Sequence, residues 1–147
     1  MNLHDTFTPT GKLEIVLRDS QGNIKEIRKA KNLVVSAGKT YLANRAVGTA
    51  SGIMSYMAIG TATSTPTASD TTLGTEAGRV ALASSSNSAN AITYTATFPA
   101  GTGTGAITEA AVLNAASSGT MLCRTTFPVV NKAAGDSIAV TWVVTIS

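Results

Sequence analysis

The stretch 106-AITEAAVLNAASSGTMLCRTTFPVVNKAAGDSIAVTWVVTIS-147 decides the fold class. It reads as three strands joined by two tight turns, at 116–119 (ASSG) and 133–136 (AAGD). In the second turn Gly135 can take positive φ and Asp136 can hydrogen-bond its own backbone. Along the last strand Ile138, Val140, Trp142, Val144 and Ile146 fall on one face at period 2, with Ala139, Thr141, Val143 and Thr145 on the other. Five large apolar side chains in register, one of them Trp, require other strands to cover them. A chain that closes this way is a β-sheet protein whose last strand is tied down.

Working outward, 91-AITYTATFP-99 alternates in the same way, with Ile92, Tyr94, Ala96 and Phe98 opposite Thr93, Thr95 and Thr97. The run 101-GTGTG-105 is then a turn into the final strands. Far upstream, 12-KLEIVLRD-19 sets Leu13, Ile15 and Leu17 against Glu14, Val16 and Arg18; residues 20–23 carry Gly22-Asn23 as a turn, and 24–30 returns as a strand. The returning strand is polar, so one face of this hairpin is wet. Residues 31–35 (KNLVV) form a short strand or connector. Ser36 is a suitable N-cap for a helix to about residue 47, with Tyr41, Leu42, Arg45 and Ala46 sharing a face, Gly48 as its stop and Gly38 as its weak point. Residues 53–60 read as a buried strand, 61–70 (TATSTPTASD) as a loop, and 84–90 (SSSNSAN) as an exposed tip. Eight to ten short strands and one short helix predict an all-β fold: an antiparallel β-sandwich, jelly-roll-like, as a single domain over residues 12–147. Residues 1–11 (MNLHDTFTPTG) lack periodicity and predict an extended N-terminal arm.

Composition supports one domain with an unusual surface. The 147 residues can bury a sizeable core. The charged fraction is 13%, about half of ordinary use, while Thr and Ser supply about a quarter of the chain. Such a domain displays hydroxyls where most display charge, which argues for burial against neighbours. The net charge of +3 is unevenly spread: residues 1–50 hold eight Lys and Arg against four Asp and Glu, and the remainder holds three against four. No aromatic residues interleave with the basic third, which argues against nucleic acid and for an acidic protein neighbour or a solvated face. Met1 is followed by polar residues and not by an apolar signal segment. The longest apolar run, 138–146, is short and broken by Thr, so no membrane span and a soluble protein made in a cytoplasm are expected.

No stretch carries the marks of chemistry. The 101–105 run lacks the following Lys-Ser/Thr of a phosphate loop and joins strands instead of opening a helix. One cysteine, Cys123, excludes an intrachain disulfide; with the lone His4 it cannot supply the four ligands usual for structural zinc. A Ser-His-Asp triad would depend on His4 in the arm. Asp70 and Glu76 lack the dense spacing of a calcium loop, and an ion pair with Arg79 is the better reading. No catalytic residue, cofactor or metal site is therefore expected.

Three stretches carry a resemblance. They are 12-KLEIVLRDSQGNIKEIRKAKNLVVSAGKTYLANR-45, 54-MSYMAIGTATSTPTASDTTLGTEAGR-79, and the chain from 95-TATFPAGTG to residue 147. The middle one combines Met57-Ala58 and Gly60 with a Thr/Ala/Pro loop and then Asp70, Thr72, Leu73-Gly74, Glu76 and Arg79. Together they resemble a family of small tailed-bacteriophage virion proteins, over nearly the whole chain after residue 11. The resemblance implies a capsid decoration (cement) protein on the exterior of the phage head, assembled in the host cytoplasm. Its partners would be the major capsid protein and itself, as a homo-dimer or homo-trimer, with no small-molecule substrate. The arm and the basic hairpin 12–31 would be candidate capsid contacts. The alternative it leaves open is a tail, neck or fibre component whose loops 61–70 and 84–90 contact a receptor or glycan. A glycan hydrolase would want a carboxylate pair in a cleft, so no enzyme is expected.

Overall fold

A computed structural model describes residues 9–49 and 52–146, and nine strands and one helix lie within them. In chain order these are β1 (Pro9–Arg18), β2 (Ile24–Val34), α1 (Ser36–Ala46), β3 (Tyr56–Gly60), β4 (Glu76–Ala81), β5 (Ser84–Ser88), β6 (Ala91–Phe98), β7 (Gly105–Leu113), β8 (Met121–Lys132) and β9 (Ser137–Ile146). All neighbours are antiparallel, in the order β4-β3-β7-β8-β2-β1-β9-β6-β5. The sheet curls so that β2-β1-β9-β6-β5 faces β4-β3-β7-β8 across one core, giving the expected all-β, sandwich-like fold.

Two stretches join the halves. β2 pairs with β1 along most of its length but with β8 only through Leu33–Arg124 and Val34–Cys123. Below that point side chains replace the ladder. The Thr125 hydroxyl donates to the Lys31 carbonyl at 2.6 Å, and the Arg28 guanidinium reaches the carbonyls of Ile27 and Val129. On the opposite side, β4 pairs with β3 and β5 with β6. Between them Leu82 donates its N–H to Ser55 and Ala83 to Thr95, so a single run of chain passes from one half to the other.

The core follows from the period-2 patterns. Leu13, Ile15 and Leu17 of β1, Tyr94, Ala96 and Phe98 of β6, and Ile138, Val140, Trp142 and Val144 of β9 are all buried. They meet Met57, Ile59, Ile107, Val112, Cys123 and Val130 of the opposing half. Trp142 is fully buried, with Leu13 and Tyr94 as its register partners on the flanking strands.

Several expectations need correction. The three C-terminal strands joined by tight turns do not all lie side by side: β8 pairs with β7, but β9 leaves for the other half and lies between β1 and β6. Both β8 and β9 carry an inward apolar face, and placing them in opposite halves lets those faces cover each other. The connecting turn does not use positive φ at Gly135. Asp136 holds it instead, donating its N–H to the Ala133 carbonyl and accepting the Ala133 N–H at 2.9 Å on its carboxylate. Finally, β1 begins at Pro9, so residues 9–11 of the expected arm pair with Ile146, Thr145 and Val144. Proline suits a first strand residue because it has no ladder N–H to lose. Residues 1–8, including His4, lie outside the described residues.

Residues 84–88 of the expected tip are likewise a strand, β5, though an exposed one. At α1, Ser36 is the first helical residue and Val35 takes the cap position with no side-chain bond. The Ser36 N–H is satisfied by the Ala68 carbonyl at 2.8 Å, from the loop that follows β3. Gly48, with φ 74°, stops the helix as expected. Gly38, unfavourable by helix propensity, is buried against β8, where a methyl group would run into the Leu122 carbonyl. Replacing Gly38 with alanine should therefore lower stability by about 1–3 kcal/mol despite the gain in helix propensity, as measured by urea unfolding. A stabilised variant would show that α1 can move off β8 freely.

Candidate functional site

The outer faces of the two halves are treated differently by the chain, and that difference locates the candidate site. On β7 and β8 the outward side chains include Glu109, Ala111, Leu113, Met121 and Arg124, all buried. Their cover is the 61–75 loop and the start of α1, with Leu73 and Val35 packed onto Ala58, Ala111, Leu113 and Met121.

Polar bonds fix this cover in place. The Glu109 carboxylate accepts the N–H groups of Ala62, Gly74 and Thr75 at 2.8–3.1 Å. Its Oε2 also accepts Nε and Nη2 of Arg124, at 3.2 and 3.0 Å. Arg124 reaches on to Asp70 at 2.8 Å and to Ser64, through both its carbonyl and its hydroxyl. Gly60 lies opposite Glu109 in the β3–β7 ladder, and a Cβ there would collide with Thr75 and with the carboxylate. Every oxygen of Glu109 and every nitrogen of Arg124 is occupied, which is what a buried ion pair needs to survive desolvation.

The charged residues singled out in the sequence are placed accordingly. Glu76 pairs with Arg79 at 2.7 Å as expected, and Arg79 also donates to the carbonyls of Ala115 and Ser118 in the β7–β8 turn. Asp70 does not join them; its cation is Arg124. Glu109 and Arg124, the centre of the network, have no local pattern in the sequence; the one available signal is a pair of charges inside otherwise apolar strands. Among the described residues no three His, Cys, Asp or Glu side chains converge as metal ligands. Cys123 is a buried core residue, and desolvation pushes its thiol well up. The 101–105 run links β6 to β7, strand to strand.

Carboxylates set an acid limit. Burial raises Asp70, but the Thr67 N–H and hydroxyl and the Arg124 guanidinium outweigh it and hold the group below its ordinary 3.8. The Lys25 ammonium, 2.7 Å away, and the Ala133 N–H hold Asp136 below 3.8 as well. A depressed folded-state value means stability is fully present above the unfolded value and lost as pH falls through the folded one. The melting temperature should therefore hold from pH 7 to about 5 and fall steeply below about 4. Asp136→Asn should flatten that fall in a pH series of thermal melts.

Among the described residues nothing covers the outer face of the other half. Because Leu13, Ile15 and Leu17 point inward, Lys12, Glu14, Val16 and Arg18 point outward. Register extends this face into rows across the strands. One runs Lys31–Lys12–Val143–Thr93–Ser86, the next Lys29–Glu14–Thr141–Thr95–Ser84, and a third Ile27–Val16–Ala139–Thr97. The face is basic and apolar on β2 and β1 and hydroxyl-rich on β9, β6 and β5. A groove of about 540 Å³ lies over Lys12, Glu14, Lys29, Lys31, Thr141 and Val143. A second, of about 510 Å³, opens between α1 and the β5–β6 tip, beside Arg45, Ile53, Asn87, Asn90 and Tyr94.

Comparison with protein-family models, with curated proteins and with solved structures returns no match.

Proposed function

We propose that this chain is a structural protein of a tailed-phage virion, a decoration protein that binds the outside of the head as a homo-dimer or homo-trimer and works by contact alone. One observation carries the reading. The chain spends a 15-residue loop and a buried ion network on covering one outer face, yet among the described residues nothing covers the other, which is five strands wide. At the basic end of that face the exposed apolar Ile27 and Leu33 flank lysines, and among the described residues Lys12 and Lys31 have no ion-pair partner, which leaves both apolar contact and charge for a partner to meet. The sequence resemblance to phage virion proteins points the same way. The major capsid protein would be the principal partner, with the basic hairpin 12–31 against it.

The test is copy number in purified particles, by quantitative mass spectrometry against the major capsid protein. Parity with the capsid subunit supports a head decoration role. A number lower by one or two orders of magnitude favours the second reading, a tail, neck or fibre component. The groove between α1 and β5–β6 favours that reading, since it is lined by the exposed Arg45 together with Asn87 and Asn90, polar side chains of the kind that meet a glycan or receptor. Absence from the particle would overturn both.

A further inference from the structure

The basic end of the open face holds an arrangement that folding alone does not favour. Lys12 and Lys31 are direct cross-strand partners on the same exposed face, and like charges placed so destabilise a sheet. Among the described residues neither has a carboxylate within ion-pair range, while Lys29, the next outward residue along β2, has only the exposed Glu14 at 3.7 Å. Five Lys and Arg side chains project from the outer side of this hairpin (Lys12, Arg18, Lys25, Lys29 and Lys31) against one acid, Glu14; of the five, Lys25 is neutralised by Asp136 from the β8–β9 turn. The lysines are framed by exposed apolar residues. Along β2 the outward order is Ile27, Lys29, Lys31, Leu33, with Ile27 49% and Leu33 37% exposed.

We infer that this face binds an extended acidic segment of a partner protein, laid along β2 with two carboxylates on Lys29, Lys31 and Lys12 and an apolar side chain at either end. Successive outward residues of β2 stand about 7 Å apart, the spacing of alternate side chains in any extended chain. A pattern of apolar, acidic, acidic and apolar residues at every second position therefore matches the row one to one. Val16 and Val143 supply apolar floor beside the lysines, and among the described residues the face carries no aromatic ring on which a base could stack, which favours a polypeptide over a nucleic acid. The Lys12–Lys31 repulsion is relieved when a carboxylate sits between the two ammonium groups, so the partner recovers what the free sheet loses.

The inference rests on the assembly reading for where such a partner is met, and not for its chemistry. Copy number tests that reading and the following titration tests this face, so each can fail alone. The probe is the capped heptapeptide Val-Ser-Glu-Ser-Glu-Ser-Val, whose palindromic order fits β2 in either direction. Amide chemical shifts of the full chain are followed at low salt, with a Gln-for-Glu peptide and a twelve-residue oligothymidylate as comparisons. The expected shifts cluster at Lys12, Lys29, Lys31 and Val143, are lost with the Gln peptide, and fade as salt is added. Lys12→Glu and the double variant K12A/K31A should each weaken the heptapeptide at least tenfold. Both should melt no lower than the parent, because each removes the like-charge pair; K12A/K31A guards against any misfolding of the charge-reversed chain. Lys39→Glu, on α1, should bind as the parent does. Shifts elsewhere, unchanged binding in both variants, or tighter binding of oligothymidylate would overturn the inference.

Discussion

Replacing Arg124 with methionine is expected to lower stability by about 3–5 kcal/mol and to release the 61–75 loop. Methionine keeps most of the side-chain volume, so the loss isolates the charge. Glu109 is fully buried, and without the guanidinium its carboxylate retains only three backbone N–H groups. Asp70 and Ser64 lose their anchor in the same step. Urea unfolding gives the magnitude, and hydrogen exchange at Ala62, Gly74 and Thr75 shows whether the loop goes first. The double variant E109Q/R124M should be more stable than R124M alone, since the stranded charge is gone. A loss below about 1 kcal/mol in R124M would mean that apolar packing at Leu73, and not the ion network, holds the cover down.

Trp142→Ala is expected to cost about 3–5 kcal/mol, and to leave the protein close to unfolding at 37 °C. Its ring fills the centre of the half that carries the open face, between Leu13 and Tyr94. Trp142→Phe should cost much less, about 1–2 kcal/mol. Among the described residues the indole Nε1 has no hydrogen-bond partner, so phenylalanine forfeits contact area and no polar bond. Thermal melts of the two variants separate these contributions. Near-equal losses would indicate that the indole nitrogen is bonded after all.

Much of the fold could be read from residue pattern, because each strand of the β1-β9-β6 group buries one face and leaves the other wet. Strict alternation in 138–146 and 91–98 translates directly into core and surface. The neighbours of β9 were not readable, since period 2 says which face is buried and nothing about which strand lies alongside. The turn at 133–136 shows the limit well: Asp136 closes it as its residue type suggests, but the same four residues serve equally to join two facing half-sheets. In the candidate site the basic hairpin was visible as charge bias. The Lys12–Lys31 juxtaposition was not, because it depends on register, which the bulge between Leu17 and Arg18 also shifts. Glu109 and Arg124 stayed hidden for another reason: their roles depend on a loop 34–60 residues upstream folding over them. Gly38 looked like a flaw in a helix and is a contact with a neighbouring strand.

The pairing of β1 with β9 also sets when the open face is complete. Pro9 meets Ile146 and Arg18 meets Ser137, so strands separated by most of the chain are adjacent at the middle of one half. During synthesis β3, β7 and β8 can assemble once residue 132 is free, but β1 and β6 have no shared neighbour until residues 137–146 leave the ribosome. Closing such distant pairings is slow, on the order of milliseconds to seconds for sheet proteins of this kind. The open face spans β2, β1, β9, β6 and β5, and so it comes into being last. A nascent chain already holds the β1–β2 hairpin with its lysine row, but Val143 and the hydroxyl-bearing strands join that row only when β9 docks, so the five-strand face is completed in one late step.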